Sequence, residues 1–367
     1  MSKAAELAAL IGSQTAQGNK NFVINGSMQI HQRGSSTGVT NAGSGYHGPD
    51  RYKFNEDGTM TAVVSIERET LTSGNAYNDG HLYAYKLSVT TADTAVAADI
   101  YTRITHRFEK DNLALLQKGS SSAKRVTLSF WVKATVTGTN VVEFFDQVNS
   151  RQVGATYTIS SSNTWEYKTV TFPADTSGAL GSGNGLAAEI NFVLQAGSNY
   201  TSGTLDTSWA SETSANRAAG HNSNHFSSTS NTFHFTGVQL EIGDVATAFE
   251  HEDIGTTLRK CQRYYFRWTA DSTYDSAVAG FCMNSTQAYG VYNMPVRMRN
   301  SPTMGTGGNW NIFTVGEQAA TGFSLNRSQL DTAMTYMTAS SGLTAGAGCV
   351  MRTNNDDDAY FEFLAEL

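Results

Sequence analysis

The sequence predicts a mainly β chain of two antiparallel β-sandwich (jelly-roll) domains, preceded by a short N-terminal helix. Three observations predict it. From Asn21 onward, apolar and polar residues alternate with a period of two, the period of a half-buried strand. The alternating runs are rich in β-branched and aromatic residues and are separated by Gly, Ser, Asn and Asp. With 40% hydrophobic and 11% aromatic residues against 16% charged, the composition favours buried cores over disorder, and 367 residues favour more than one such core.

The helix is expected first. Leu7, Leu10 and Ile11 stand at i, i+3 and i+4 before Gly12, an apolar stripe too short to hold alone, which either anchors on a partner surface or on its own copies or is a frayed start. Strands follow at Met60 to Arg68, Leu82 to Thr90, Arg125 to Thr135, Val141 to Phe145, Glu166 to Phe172, Glu189 to Leu194 and Thr232 to Glu241. In LSFWVKA, Leu128, Phe130 and Val132 share one face while Ser129, Trp131 and Lys133 take the other. Many short strands with turn residues between them make a sandwich or jelly roll. Two polar stretches, residues 34–49 and 197–231, read as surface loops. Trp209 lies within the second, where an indole serves subunit packing, a ligand platform or the loop's own folding onto the sandwich.

Near residue 255 the pattern changes. Thr256 or Thr257 caps a short helical turn, and strand character resumes at Tyr264 to Trp268. The expected division is an anchoring arm over 1–20, a first sandwich over 21–254, and a second, smaller sandwich over 255–367 that serves the tip, the receptor or trimerisation.

Charge and cysteine content exclude several function classes. A net charge of −7 opposes tracking of a phosphate backbone, so no nucleic-acid partner is expected. No run approaches the length of a membrane span, and the start is neither long nor apolar enough for a secretory signal. Cys261, Cys282 and Cys349 show no paired spacing and read as buried free thiols.

Several phrases together resemble the virion appendage proteins of tailed phages. They are NFVINGSMQIHQRG (Asn21 to Gly34) with the DRY of Asp50 to Tyr52, then IYTRITHRF, KRVTLSFWVKA and TWEYKTVTF in that order. FTGVQLEIGDVATAFEHEDIGTTLRKCQRYY (Phe235 to Tyr265), MPVRMRNSPT and the terminal AYFEFLAEL complete the set. The middle phrases are similar to the galactose-binding-like jelly roll of carbohydrate-binding modules. The resemblance implies a homotrimeric attachment protein of the virion, assembled in the host cytoplasm, joined to tail or capsid proteins through its N-terminus and meeting a host surface glycan. It also implies a structural calcium near the opening and closing strands, here around Asn25 and Glu241, although the acidic pair usual in the closing strand is replaced by Thr236 and Gly237.

Catalytic signatures were weighed against this. No G-x-S-x-G elbow or phosphate loop occurs, and GSGNG (Gly181 to Gly185) reads as a turn. Glu143, Asp146 and Glu189 are the carboxylates that a glycoside hydrolase would need to pair in space. His221 and His225 read as a solvated loop pair, and Asp356 to Asp358 as a turn. Trp209, Trp268, Tyr274 and Trp310 are the aromatics with polar neighbours that could face a sugar ring, with core or inter-subunit packing as the other use for each. The reading is a non-enzymatic adhesion subunit of a tail fibre. A capsid-decorating or connector protein and a surface-glycan depolymerase are the alternatives.

Overall fold

A computed structural model describes residues 20–34, 36–39 and 44–367. The expected N-terminal helix, with Leu7, Leu10 and Ile11, lies outside the described residues. The chain forms two compact units, the first ending at Asp253 and the second spanning Ile254–Leu367.

The first unit is a two-sheet antiparallel sandwich. One sheet has six strands in the order β1 (Ser36–Val39), β4 (Val63–Thr70), β5 (Tyr83–Thr91), β13 (Thr232–Ile242), β7 (Val126–Ala134) and β10 (Glu166–Phe172). The other has seven, in the order β12 (Ala210–Ser211), β9 (Arg151–Ile159), β8 (Gly138–Asp146), β11 (Leu186–Ala196), β6 (Tyr101–Glu109), β3 (Tyr52–Asp57) and β2 (Gly45–Tyr46). Strands adjacent in sequence repeatedly change sheet, so each sheet turns one face to a shared interior. Phe54, Phe108, Phe130, Phe144, Phe192 and Phe235 fill that interior. Phe130 and Phe192 meet edge to face at 5.0 Å, and each fully buried side chain of this kind contributes about 1.5–3 kcal/mol. On β7 the alternation is as expected: Leu128, Phe130 and Val132 are buried in the core, whereas Trp131 donates its Nε1–H outward to Asp79 Oδ2 at 2.9 Å.

The opening phrases of the sequence form one knot. The Asn25 amide donates to the carbonyls of Ile30 (2.9 Å) and Asp50 (3.0 Å), and its Oδ1 accepts the Ile30 N–H. Asp50 in turn accepts the backbone and side-chain N–H groups of Gln32, with Arg33 3.8 Å away. Phe22 N–H and Val238 N–H bond across to Leu240 O and Gly26 O, which ties the opening segment to the closing strand.

The two polar stretches are more ordered than the sequence suggests. Residues 34–49 supply β1 and β2, and 197–231 supply the helical turn Ser198–Thr201, strand β12 and a 3-10 turn at Ser214–Asn216. Polar side chains do this by capping backbone: Asn216 Oδ1 accepts Thr204 N–H and its amide donates to Asp206. The solvated pair expected at His221 and His225 is corrected. His225 is buried, with Nε2 2.8 Å from Asn140 Oδ1, and Phe226 beside it enters the core.

The second unit carries the helix Ile254–Gln262, a three-stranded sheet in the order β14 (Tyr265–Thr269), β22 (Tyr360–Leu364) and β17 (Thr303–Gly307), and a closed barrel. The barrel order is β15 (Ser276–Cys282), β16 (Gln287–Asn293), β20 (Thr332–Ala339), β19 (Glu317–Ser328), β18 (Trp310–Phe313) and β21 (Gly348–Thr353), with β21 returning beside β15. The unit is antiparallel β, as expected, and six of its strands close on themselves, which leaves that sheet no edge to pair with another chain. Two paired glycines permit the curvature: a Cβ on Gly280 would lie 1.9 Å from Tyr289 O, and one on Gly290 2.5 Å from Met351 and Val278. All three cysteines are buried and free, as expected.

Candidate functional site: the outer face of the seven-stranded sheet

Alternation decides which side chains reach the outer face of the seven-stranded sheet. Tyr52 and Phe54 of β3, Ile104 and Phe108 of β6, Ile190 and Phe192 of β11, and Val142 and Phe144 of β8 all enter the core. Their neighbours therefore point away from it. Register then places Lys53 opposite Thr105, Asn55 opposite Arg103 and Asp57 opposite Tyr101. Asn191 lies between Thr105 and Glu143, and Glu189 beside Arg107.

These side chains form a hydrogen-bonded ladder across four strands. Asn55 Nδ2 donates to Thr105 Oγ1 (2.8 Å), and Thr105 donates to Asn191 Oδ1 (2.7 Å). Asn191 Nδ2 donates to Glu143 Oε2 (2.9 Å), which also accepts the Tyr101 hydroxyl (3.0 Å). Arg217, delivered by the 197–231 insertion, closes on Glu143 with two contacts of 2.8 Å. Arg103 pairs with Asp57 at 2.7 Å, and Arg107 with Glu189 at 2.6 Å. The same insertion brings Tyr200 flat against Tyr101, with ring centroids 4.6 Å apart and planes 15° apart. Guanidinium carbons of Arg103 and Arg217 lie 4.6 and 4.9 Å from the Tyr101 ring.

The electrostatics follow from burial and crowding. Burial, then the neighbouring Arg107 charge, lowers the pKa of Lys53. Burial raises the Tyr101 hydroxyl, reinforced by the Glu143 carboxylate, so this phenol stays a donor. Burial opposes the charge on Arg217, but Tyr101 and Glu143 outweigh it and raise its pKa. The ladder itself is buried and internally satisfied, so it stiffens the face; what the face turns to solvent is the half-buried Tyr200 ring with Asp57, the exposed partner of Arg103, beside it. Each carboxylate weighed for hydrolysis holds a cation: Glu143 holds Arg217, Glu189 holds Arg107, and Asp146 holds Lys118.

The four aromatics singled out from sequence do not converge. Trp209 is half-buried at the end of the first core, 5.2 Å from Phe144, with its Nε1–H on Pro173 O and the Lys118 ammonium over its ring. It borders a recess of about 10 Å³, room for one water and not for a sugar ring. Trp310 takes the packing use: it is 4% exposed and donates its Nε1–H to Gly307 O, so it presents no open ring face. Trp268 packs on the second core, stacked on Phe361 at 5.3 Å. Tyr274 is 44% exposed, with Arg352 5.1 Å from its ring. Asn25 and Glu241 do not make a calcium cage. The amide of Asn25 is spent on Ile30 and Asp50, and the Glu241 oxygens accept the Thr247 N–H, the Thr247 hydroxyl and the Gln239 amide. A cation already stands there, Lys20 Nζ, 2.7 Å from Thr247 Oγ1. Among the described residues no cluster of three or more His, Cys, Asp or Glu is placed to hold a metal, and no helix is long and apolar enough to cross a membrane.

Sequence reasoning missed Tyr200, Arg103 and Arg217. For Arg103 the available signal was the density of Arg and Thr on the outward positions of IYTRITHRF; Tyr200 and Arg217 lie in the 197–231 insertion, where no periodicity marks them.

No family model matches the sequence, and no curated protein matches it. Among solved structures, the chain is similar to the enzymatically active domain of bacteriophage CBA120 tailspike protein 4, at TM-score 0.32 and 15% identity over 61% of this chain and 22% of that one. It is also similar to the family 11 carbohydrate-binding module of a cellulosomal cellulase of Clostridium thermocellum, at TM-score 0.27 and 12% identity over 60% and 98% of the two chains. A third likeness is to the CBM22-2 xylan-binding domain of Paenibacillus barcinonensis Xyn10C, at TM-score 0.26 and 14% identity over 52% and 91%. This chain spans about a fifth of the phage tailspike chain.

Proposed function

We propose that this protein is a non-enzymatic subunit of a tailed-phage appendage that holds a host surface glycan on the outer face of its seven-stranded sheet. The observation that carries the glycan reading is the Tyr200 ring, half-buried and held flat on Tyr101 with the Arg103–Asp57 pair beside it, because a sugar needs an aromatic face for its C–H groups and fixed charges for its hydroxyls. The phage setting is supported by the sequence phrases, above all the exit segment ending in CQRYY. Adhesion rather than hydrolysis is supported by the ion pairs that occupy Glu143, Asp146 and Glu189. On this reading the chain assembles in the host cytoplasm into a homotrimer and joins tail or capsid proteins through its N-terminus. Weak single-site contact then becomes useful because neighbouring copies raise the effective concentration of each remaining site.

Titration calorimetry of the full chain with purified host surface polysaccharide tests the reading. Tyr200→Ala is expected to weaken binding about tenfold, the value of one aromatic contact of ~1.4 kcal/mol. Unchanged affinity in that variant would remove the glycan from this face, and release of new reducing ends by the wild-type protein would make it a depolymerase.

A further inference from the structure

The outer wall of the barrel is apolar where a solvated wall should be polar. On β15, Val278 and Cys282 are buried, which turns Ala279 and Phe281 outward. On β16, Ala288 and Gly290 are buried, which turns Tyr289 and Val291 outward, and on β20 the buried Ala333, Thr335 and Met337 leave Met334 and Tyr336 outside. Register aligns these positions into a band: Phe281 pairs with Tyr289, Tyr289 with Tyr336, and Val291 with Met334. In the other direction Ala279 pairs with Val350, and Val350 with Phe313. Tyr289 and Tyr336 stack at 5.5 Å. Phe281, Val291 and Phe313 are 43%, 54% and 39% exposed, so the band is open to solvent in the isolated chain.

We infer that this band is the face on which a second copy of the chain packs. Charge points to the occupant. A net −7 opposes association of two copies in general, yet the outward positions Ala279, Phe281, Tyr289, Val291, Met334, Tyr336, Val350 and Phe313 carry no charge. Charge enters only at its margins, as Arg352 with its partner Glu317 beside Phe313, and as Arg327 opposite Met334. Copies that bring these bands together around their symmetry axis do so without burying an unpaired charge, which would cost several kcal/mol. Area agrees. Phe281 and Phe313, each about two-fifths open, the half-buried Tyr289 and Tyr336, and Val291, Met334, Val350 and Met283 together present on the order of 500 Å², the low end of what one partner contributes to a specific interface. A sugar is the poorer fit, since the band offers hydroxyls and no amide or carboxylate at its centre. The inference rests on the reading of the protein as a multi-copy appendage subunit.

Sedimentation equilibrium of the full chain across the micromolar range tests it. Wild type is expected to be a discrete oligomer, and Val291→Glu to raise its dissociation constant about a hundredfold or more, because each contact would bury an unpaired carboxylate. Phe281→Lys repeats the test at a second exposed position, so a folding defect in one variant leaves the other decisive; near-ultraviolet dichroism reports folding. Leu115→Glu, exposed on the first unit, is expected to leave the mass unchanged. A monomeric wild type overturns the inference, as does an oligomer that both band variants leave intact, or a monomer that uses the band to capture glycan or another protein. Glycan affinity of Tyr200→Ala is read separately, so failure of the binding site and failure of this face are distinguishable.

Discussion

Removing Arg217 should unfasten the insertion that builds the site. Its guanidinium makes two 2.8 Å contacts to Glu143, a carboxylate 1% exposed, so Arg217→Ala leaves a buried charge without its cation. Breaking such a pair from one side costs about 3–5 kcal/mol. Tyr101 and Asn191 still donate to Glu143 Oε2, and because each such bond retains about 1 kcal/mol the loss should fall at the low end, about 3 kcal/mol. For a unit of this size that is a drop in Tm of roughly 6–12 °C. Differential scanning calorimetry reads it directly. Adding Glu143→Gln to Arg217→Ala should restore about half of the loss, since a neutral amide is cheaper to bury than an unpaired carboxylate. A loss under about 1 kcal/mol for Arg217→Ala, or a double variant no more stable than the single, would refute the account of this ladder as a buried, interdependent network.

Three further outcomes follow from other contacts. Burial, together with the adjacent His221, pushes His225 down to about 3, and burial pushes His221 down to about 4. Both folded values lie below the unfolded one, so their contribution is complete above about pH 6.5 and is lost as pH falls toward the folded values, at ~1.4 kcal/mol per unit of pH for each histidine. Urea unfolding at about pH 7.5 and about pH 5 should show that slope, and His225→Asn should lower it by one proton. Gly237→Ala places a Cβ 2.5 Å from the His81 ring at φ 63°, so it should cost about 2 kcal/mol or more in denaturant unfolding. Asp50→Ala frees Gln32 and Arg33 from the opening knot and should cost about 2 kcal/mol, read in the same assay as a shift of the midpoint without a change of slope.

Much of the fold was legible because a strand's alternation is local. Leu128, Phe130 and Val132 declare their common face within seven residues, and the outward positions of IYTRITHRF are visible in the same way. The motif phrases were legible as landmarks but not as a mechanism. That Asn25, Gln32 and Asp50 share one set of hydrogen bonds, with Arg33 as an ion pair beside it, depends on contacts across 25 residues, which no spacing rule predicts. Which use each indole serves was not legible for a related reason: Trp310 has polar neighbours in sequence, but its strand turns it into the core against Phe323 and Trp268. The histidines of HNSNH misled, since Asn140 on a distant strand supplies the partner that lets His225 be buried.

The sequence by itself determined the fold class of this protein: antiparallel strands in more than one module. That is a property of period and composition, and it is complete within a short window. Only the tertiary structure decided that the second module closes into a barrel, that Arg217 and Tyr200 cross to Glu143 and Tyr101, and that one barrel wall is left apolar. Each of these depends on which strand lies beside which, and strand order is set by how the whole set of faces can be buried at once, a quantity no local stretch of chain contains.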